Sequence, residues 1–294
     1  MKIDPICVSC EIDGAIDQIK HSTEDKQVQF KALSSFLKYL ASNVSEDLVP
    51  ARMGTERNRI IGEITSNPDP YVYIKERSNR TAAKLEPYAE ELVSKGEGEK
   101  ERLSRALVVA ALGNSMDFSV SNHKVDFPSF QEEFKKFFKR GLAHDDSKKI
   151  VSWIRSSDEV LYLLDNCGEV LLDRILMKEI KRTGAKLLVA ARSSPVQDDV
   201  TLEIVRKLKI HRLGKLLPAG AVTGVDPIRA PAELRRKIEE TDLIISKGQG
   251  NFEMFSEFED MFRGRLVYLL MTKCEPVASS MKVGRGALVA KAVE

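Results

Sequence analysis

Four polar segments of the sequence carry side chains that could bind a metal ion and a phosphate group. They are Asp165-Asn166-Cys167-Gly168-Glu169, Arg192-Ser193-Ser194-Pro195 with Asp198-Asp199, Ser246-Lys247-Gly248-Gln249-Gly250-Asn251-Phe252-Glu253 and Thr272-Lys273-Cys274-Glu275. Asp165, Asn166 and Asp199 offer the hard oxygen ligands that Mg²⁺, Mn²⁺ and similar ions prefer. Lys247 and Lys273 could neutralise phosphate charge. Because a metal ion, a phosphate and a water suffice for phosphoester hydrolysis, the segments predict that chemistry.

Each polar segment follows a short apolar run, at residues 160–164, 187–191, 243–245 and 266–270. Runs that are apolar on both faces predict strands of a parallel sheet covered on both sides. Residues 170–182 have helical spacing and end near Gly184, which predicts a crossover helix. Residues 206–213 are a poorer strand candidate because charge interrupts them. Since ligands bind beyond the carboxyl ends of parallel strands, the four polar segments are predicted to meet at one rim.

The two halves of the chain differ in periodicity. From residue 10 to about residue 142, apolar residues such as Phe36 and Leu40 recur at helical spacing, with breakers at 67–70 and 96–98. The pattern predicts a helical region over 1–145 and an α/β core over 146–294, with a mainly parallel sheet between two helical layers.

Composition excludes several classes of protein. The 294 residues contain 46 Lys and Arg against 44 Asp and Glu, so no massed basic face for nucleic acid is expected. The longest stretch without a charged residue, 106–116, is too short to cross a membrane as a helix, and the amino terminus lacks the apolar core of a signal peptide. No GxGxxG or GxxxxGK[ST] motif is present. A cytoplasmic protein with a small-molecule ligand is therefore expected, of unknown oligomeric state.

Single residues of the rim also fit structural roles. Asp165 could cap the following helix, and Lys273 could be a solvated charge at a strand end. The histidines fall outside the rim and are better interpreted as surface or packing residues; they are His21, His123, His144 and His211. Polar groups nevertheless follow each of four separate predicted strands, and this repetition favours a functional site.

Three motifs resemble those of the damage-control phosphatases, formerly a domain of unknown function numbered eighty-nine. They are Asp165-Asn166-x-Gly168-Glu169, Lys247-Gly248-Gln249-Gly250-Asn251-Phe252-Glu253 and Lys273-Cys274. Gly113-Asn114-x-x-Asp117 is similar to a further family motif, and Cys7-x-x-Cys10 resembles the mark of subfamily I. The resemblance extends from Cys7 to Gly286.

The resemblance implies a Rossmann-like α/β/α core, a helical amino-terminal region and metal-dependent hydrolysis of sugar phosphates or damaged phosphometabolites. It implies that Asp165, Asn166 and Asp199 bind the metal, with Asp199 preferred over Asp198 because it precedes Val-Thr. Mn²⁺ or Ni²⁺ is expected, with Co²⁺ or Mg²⁺ as alternatives. Asp165, Asn166 and Lys273 would be catalytic. The implied substrate-binding residues are Asn114, Asp117, Glu169, Lys247, Gln249, Gly250, Asn251, Phe252 and Glu253.

The sequence departs from the eukaryotic relatives, which carry Arg-Thr-x-Lys where this chain has Leu270-Met271-Thr272-Lys273. The lysine remains and the arginine is absent, so the sugar-phosphate preference of those relatives does not transfer directly. Two alternative functions stay open. The first is a carboxyl methyltransferase, although no glycine-rich turn for S-adenosylmethionine follows Leu164, and the second is a non-catalytic metal or metabolite sensor.

The Cys7-x-x-Cys10 pair has two interpretations. It supplies only half of a four-cysteine zinc site, and the chain has no second CxxC to complete one. Packing near the chain end explains the pair equally well. We predict a structural or redox element of the helical region, near the mouth of the site.

Overall fold

The computed structural model describes residues 1–115 and 127–294, so Asp117 of the predicted substrate-binding set lies outside the described residues. The α-helices are α1 (Pro5–Ser22), α2 (Lys26–Asn43), α3 (Pro50–Thr65), α4 (Val72–Ser94), α5 (Glu99–Ser115), α6 (Phe127–Arg140), α7 (Ser147–Ser156), α8 (Glu169–Arg182), α9 (Leu202–Lys207), α10 (Ala232–Glu240), α11 (Gly248–Phe255) and α12 (Glu275–Ser280). The strands are β1 (His144–Asp145), β2 (Glu159–Leu163), β3 (Lys186–Ala191), β4 (Lys215–Pro218), β5 (Leu243–Lys247), β6 (Leu266–Met271) and β7 (Leu288–Val293).

The described strands form one sheet in the order β1-β7-β6-β5-β2-β3-β4. Strands β6, β5, β2, β3 and β4 are parallel, whereas β7 runs antiparallel to β6 and pairs in parallel with β1. β2 is the middle strand of these five parallel strands, where Tyr162 is opposite Val189 of β3 and Ile245 of β5. The predicted α/β class with a mainly parallel sheet is confirmed.

Two apolar cores cover the sheet, one on each face. Alternate residues of β2 point in opposite directions, so Val160 and Tyr162 join the core with α5 and α8. Leu161 and Leu163 join the other core, with α10 and α11. Because both faces are covered, β2 and β3 are apolar on both faces after their first residue, as β6 is throughout, and the three-layer arrangement follows from the burial of both faces.

The weak strand candidate over residues 206–213 does not form a strand. This segment contains the end of α9 and the 3-10 helix Ile210–Arg212, and the next strand is β4. Thr201 favours the helix because its hydroxyl accepts a hydrogen bond from the Ile204 amide at 3.3 Å, which caps the first turn of α9. Gly184 does follow helix α8 with a φ of 97°, the conformation expected of a residue that ends a helix.

The amino-terminal helices divide between two environments. α1, α2 and α3 share their own apolar cluster, which includes Phe36 and Met53. α4 and α5 instead contribute Leu85 and Leu107 to the core beneath the sheet. The division into regions 1–145 and 146–294 therefore stays a prediction, and α5 reaches below the polar rim. Within the described residues, no helix has the length and apolar character needed to span a bilayer.

Candidate active site

The three predicted oxygen ligands lie side by side at the end of β2. The Val200 amide donates to the carbonyl of Asp165 at 2.9 Å, and this pairing brings Asn166 opposite Asp199 in an isolated antiparallel bridge. Two loops that are more than thirty residues apart are thus held together by their backbones. The structure therefore brings together Asp165, Asn166 and Asp199.

A turn at Gly168 directs the chain from Asp165 into helix α8. Gly168 has a φ of 84°, a left-handed conformation that glycine adopts readily. Its amide donates to Oδ1 of Asn79 at 2.8 Å, so helix α4 supports the loop from behind. Sequence analysis missed Asn79, because it lies 89 positions before Gly168 in the chain and nothing in its helical segment marks it.

Carboxylates at the rim are close enough to perturb one another. Burial raises the pKa of Asp165 well above its usual value, and Glu169 and Asp199 add to the effect, while Arg192 and Lys273 oppose it. Burial likewise raises the pKa of Asp199 to about 7, although Nε of Arg192 lies 2.5 Å from its Oδ2. Bringing a cation to this cluster would stabilise the ionised carboxylates.

Asn114 links the two acidic side chains from below. Its Nδ2 donates to Oδ2 of Asp165 at 3.2 Å and to Oε2 of Glu169 at 2.8 Å. Its Oδ1 accepts from the Met271 amide at 3.0 Å, which connects α5 to the end of β6. Asn114 and Glu169 are both buried and lie beneath the cleft rather than on its surface. Their contacts therefore position Asp165.

Three more predicted substrate-binding residues are buried below the rim. Lys247 is fully buried, with its Nζ 3.0 Å from Oδ1 of Asp173 and 2.5 Å from the carbonyl of Ala110. Asn251 is also fully buried; its Oδ1 accepts from the Val225 amide at 2.9 Å. Phe252 packs edge-on against Tyr268 at 5.0 Å between ring centroids. The structure does not bring these three side chains to the cleft surface.

A cleft of about 600 Å³ opens in front of the rim. The predicted residues that line it are Asp165, Asn166, Asp199, Gln249, Gly250, Glu253 and Lys273. The opposite wall comes from helices α1 and α3, which contribute Cys7, Cys10, Glu11, Gly14 and Arg57. Sequence analysis missed Glu11 and Arg57, because a helical stripe does not indicate which distant segment it will face.

Arg57 is a buried cation in that wall. Its Nη1 lies 2.6 Å from Oε2 of Glu11, and its Nε has no hydrogen-bond partner among the described residues. A β-carbon on Gly14 would lie only 2.5 Å from Nη1, so glycine makes room for the guanidinium. A glycine inside a helix costs about 0.5–1 kcal/mol relative to alanine. Gly14 is the signal in the sequence that could have revealed this close approach.

Acidic groups outnumber basic groups along the cleft. The lining carboxylates are Glu11, Asp165, Asp198, Asp199, Glu253 and Glu275, and the lining cations are Arg57, Lys273 and Arg285. Burial, together with the nearby Glu11, raises the pKa of Glu253 to about 8. The local charge thus favours binding of a cation.

The donors at the rim fit a hard divalent cation. Two carboxylates and one amide oxygen are the ligand types that such ions prefer. In the part of the chain that the structure describes, no three His, Cys, Asp or Glu side chains are grouped to hold a metal. An ion bound by Asp165, Asn166 and Asp199 would therefore need further ligands from water or substrate, as is usual for Mg²⁺ and Mn²⁺ in enzyme sites.

The fold and the rim together define an α/β protein with an acidic cleft at the carboxyl ends of its parallel strands. Residues 3–289 match the damage-control phosphatase ARMT1-like domain. The chain belongs to this family, which confirms the resemblance seen in the sequence; the assignment to the CxxC subfamily stays a prediction.

Individual relatives match over nearly the whole chain. A protein named damage-control phosphatase from Archaeoglobus fulgidus is 37% identical, with all of both chains covered. A damage-control phosphatase from Pyrococcus horikoshii is 31% identical over 98% of this chain and 97% of its own. The crystal structure of a DUF89 family protein from the same organism has a TM-score of 0.90 and 29% identity, with both chains fully covered.

Proposed function

We propose that the protein is a metal-dependent phosphatase that hydrolyses small phosphorylated metabolites, with a damage-control role in the cytoplasm. The observation that carries the proposal is the joining of the Asp165 and Asp199 loops at the rim of a cleft with excess acidic groups. Relatives named damage-control phosphatase, similar over their full length, support the phosphatase class. A cleft of about 600 Å³ is the size expected for a small-molecule site.

Asp165, Asn166 and Asp199 would hold the cation, for which Mn²⁺ or Ni²⁺ is the first choice and Co²⁺ or Mg²⁺ the alternative. A bound divalent ion supplies Lewis-acid polarisation of a phosphoryl oxygen. Arg192 would orient Asp199 through its contact with Oδ2, and Asn114 would orient Asp165. Both contacts are buried, so they restrict the two carboxylates to defined positions.

Lys273 would provide positive charge for the phosphate. The side chain is exposed and lines the cleft, and its backbone amide donates to Oε1 of Gln249. Gln249 thereby ties the segment after β6 to the first turn of α11. An ammonium held at this place would stabilise negative charge that gathers on the phosphoryl oxygens in the transition state.

The test is hydrolysis of p-nitrophenyl phosphate by protein stripped of metal and then supplied with Mn²⁺, Ni²⁺, Co²⁺ or Mg²⁺. Asp165→Ala and Asp199→Ala are expected to lower kcat/KM by roughly 100-fold or more, because each removes a proposed ligand of the ion that would stabilise charge on the phosphoryl group. Asp47→Ala, at an exposed aspartate, is the control. Full turnover in either rim variant would exclude the proposed ligands.

Two further assays on the same protein distinguish the phosphatase from the two alternative functions. Transfer of a methyl group from S-adenosylmethionine without phosphate release would favour a carboxyl methyltransferase. Tight metal binding without turnover on a panel of phosphoesters would favour a sensor. Metal-stimulated phosphate release without methyl transfer is the result that we expect.

A further inference from the structure

Two thiols lie on the face of α1 that lines the cleft. Cys7 and Cys10 are three positions apart, and Gly14 continues the same face one turn later. Cys7 is buried and Cys10 is exposed, and both are free thiols. The pair therefore combines one accessible sulfur with one that is shielded.

A third thiol comes from a distant segment. Cys274 precedes α12 and lines the same cleft, with Nε2 of Gln249 3.7 Å from its Sγ. Burial is the main cause of the raised pKa of Cys7 and of Cys10. The nearby Cys274 adds a smaller electrostatic contribution to both. Three of the four cysteines of the chain thus line one cleft.

The fourth cysteine lies elsewhere and offers an internal control. Cys167 is buried, and its Sγ lies 3.8 Å from the carbonyl of Asp199. It does not line the cleft.

The spacing of Cys7 and Cys10 places the two side chains close to, but not within, the separation that a disulfide needs. Side chains three positions apart in a helix have about 5–6 Å between their β-carbons, whereas a disulfide needs about 3.5–4.5 Å. Closing this gap requires a small movement of the first turns of α1. Cys274 has no fixed helical spacing to Cys7 or Cys10, because it lies in a different part of the chain, in the loop after β6.

We propose that Cys7 and Cys10 are a reversible dithiol–disulfide site in the wall of the cleft, oxidised by exchange with a low-molecular-weight disulfide. The Cys10 thiolate attacks the small disulfide, breaks its S–S bond and releases one thiolate. The Cys7 thiolate then attacks the Cys10 sulfur and releases the second. The protein loses two electrons and two protons, and the small disulfide becomes two thiols. The two thiols share the cleft with the proposed phosphatase site, but the proposal does not rest on the phosphatase function.

Peptide mass mapping tests the site directly, without reference to catalysis. The full-length protein is treated with oxidised glutathione at mildly alkaline pH, alkylated and digested with trypsin. Residues 3–20 form one peptide that contains both thiols, whereas Cys274 and Cys167 fall in the separate peptides 274–282 and 156–174. We expect the 3–20 peptide to lose two hydrogen masses in most molecules and to regain them with dithiothreitol, while peptide 156–174 is unchanged.

Single variants test the order of the steps. Cys7→Ser is expected to accumulate glutathione on Cys10, because the resolving thiol is missing. Cys10→Ser is expected to lower glutathione incorporation into the 3–20 peptide several-fold. If the wild-type peptide keeps two free thiols, or if the main product links 3–20 to 274–282, the proposed pair is wrong. The wild-type result holds whether or not either variant folds.

Discussion

The backbone of Gly248 packs directly against the carboxylate of Asp165. A β-carbon built on Gly248 would lie 1.8 Å from Oδ2 of Asp165, and Gly248 has a φ of 77°, a conformation that other residues rarely adopt. Both the close approach and the backbone conformation therefore require glycine at the first residue of α11. The position of Asp165 depends on the absence of a side chain on the neighbouring strand–helix turn.

Gly248→Ala is expected to abolish activity, because the new methyl group must displace the Asp165 carboxylate. The variant should also lose roughly 1–3 kcal/mol in free energy of unfolding from backbone strain. Gly264→Ala is a matched control, since Gly264 has a φ of 78° and a β-carbon there would have nothing within 4 Å. Phosphatase assays and urea unfolding of both variants check the prediction. Equal activity in the two would show that Asp165 tolerates displacement.

Asp165→Asn is expected to stabilise the metal-free protein while it removes activity. The pKa of Asp165 is raised by burial and by Glu169 and Asp199, so the folded state prefers the protonated carboxyl. The stability that this group contributes is present below the usual carboxyl pKa and is lost as pH rises through the folded-state pKa.

Asparagine has no proton to lose, so the metal-free variant should exceed the wild type by roughly 1–3 kcal/mol at pH 8 and by little at pH 4. Urea unfolding in the presence of a chelator measures this difference. Asp47→Asn, at an exposed aspartate, is the control. A loss of stability in the Asp165 variant at pH 8 would contradict the electrostatic account.

Glu253→Gln is expected to flatten the dependence of stability on pH. Burial raises the pKa of Glu253 to about 8 in the folded protein, against 4.5 as the reference value. The group therefore stabilises the fold fully below about pH 4.5, and this contribution is lost between about 4.5 and 8. Within that window the loss is at most about 1.4 kcal/mol per pH unit.

Chemical denaturation across the window, with the exposed Glu46→Gln as control, measures the two slopes. We expect the wild type and the control to lose stability more steeply with pH than Glu253→Gln. Parallel profiles for all three proteins would show that the Glu253 carboxyl does not titrate in this range.

Lys247→Met is expected to destabilise the fold by about 3–5 kcal/mol, because it leaves the buried carboxylate of Asp173 without its cation. Adding Asp173→Asn should restore much of that loss, since the neutral pair carries no buried charge. Thermal unfolding of the single and double variants measures the coupling. If Lys247→Met is as stable as the wild type and changes only KM, a direct substrate role would replace the structural one.

The sequence predicted the rim because strand ends are a local property. Asp165 and Lys273 each follow an apolar run, and the parallel sheet brings those runs to one edge. The depth of a side chain below that edge is a three-dimensional property. Lys247 looks like a rim residue in the sequence, yet it is the last residue of β5 and points into the core toward Asp173.

No local pattern in the sequence indicated which distant segments the helices contact. Asn79 supports Gly168 across 89 positions, and Arg57 faces the cleft from a helix whose pattern indicates only that one side is apolar. Such pairings depend on how the helices pack on the sheet, which single-sequence periodicity does not specify. Residues 206–213 were a weak strand candidate from the start, and they contain the end of α9, whose first turn is capped by Thr201, and a 3-10 helix.

The contacts of Asn114 also determine whether the chain can be divided into two working fragments. Its amide connects Asp165, Glu169 and the Met271 backbone from a helix in the first half of the sequence. A fragment comprising 146–294 would keep the three proposed oxygen ligands but lose the amide that positions Asp165. We therefore expect the proposed hydrolysis to require the undivided polypeptide, and a swap of amino-terminal halves between relatives would have to preserve this one amide.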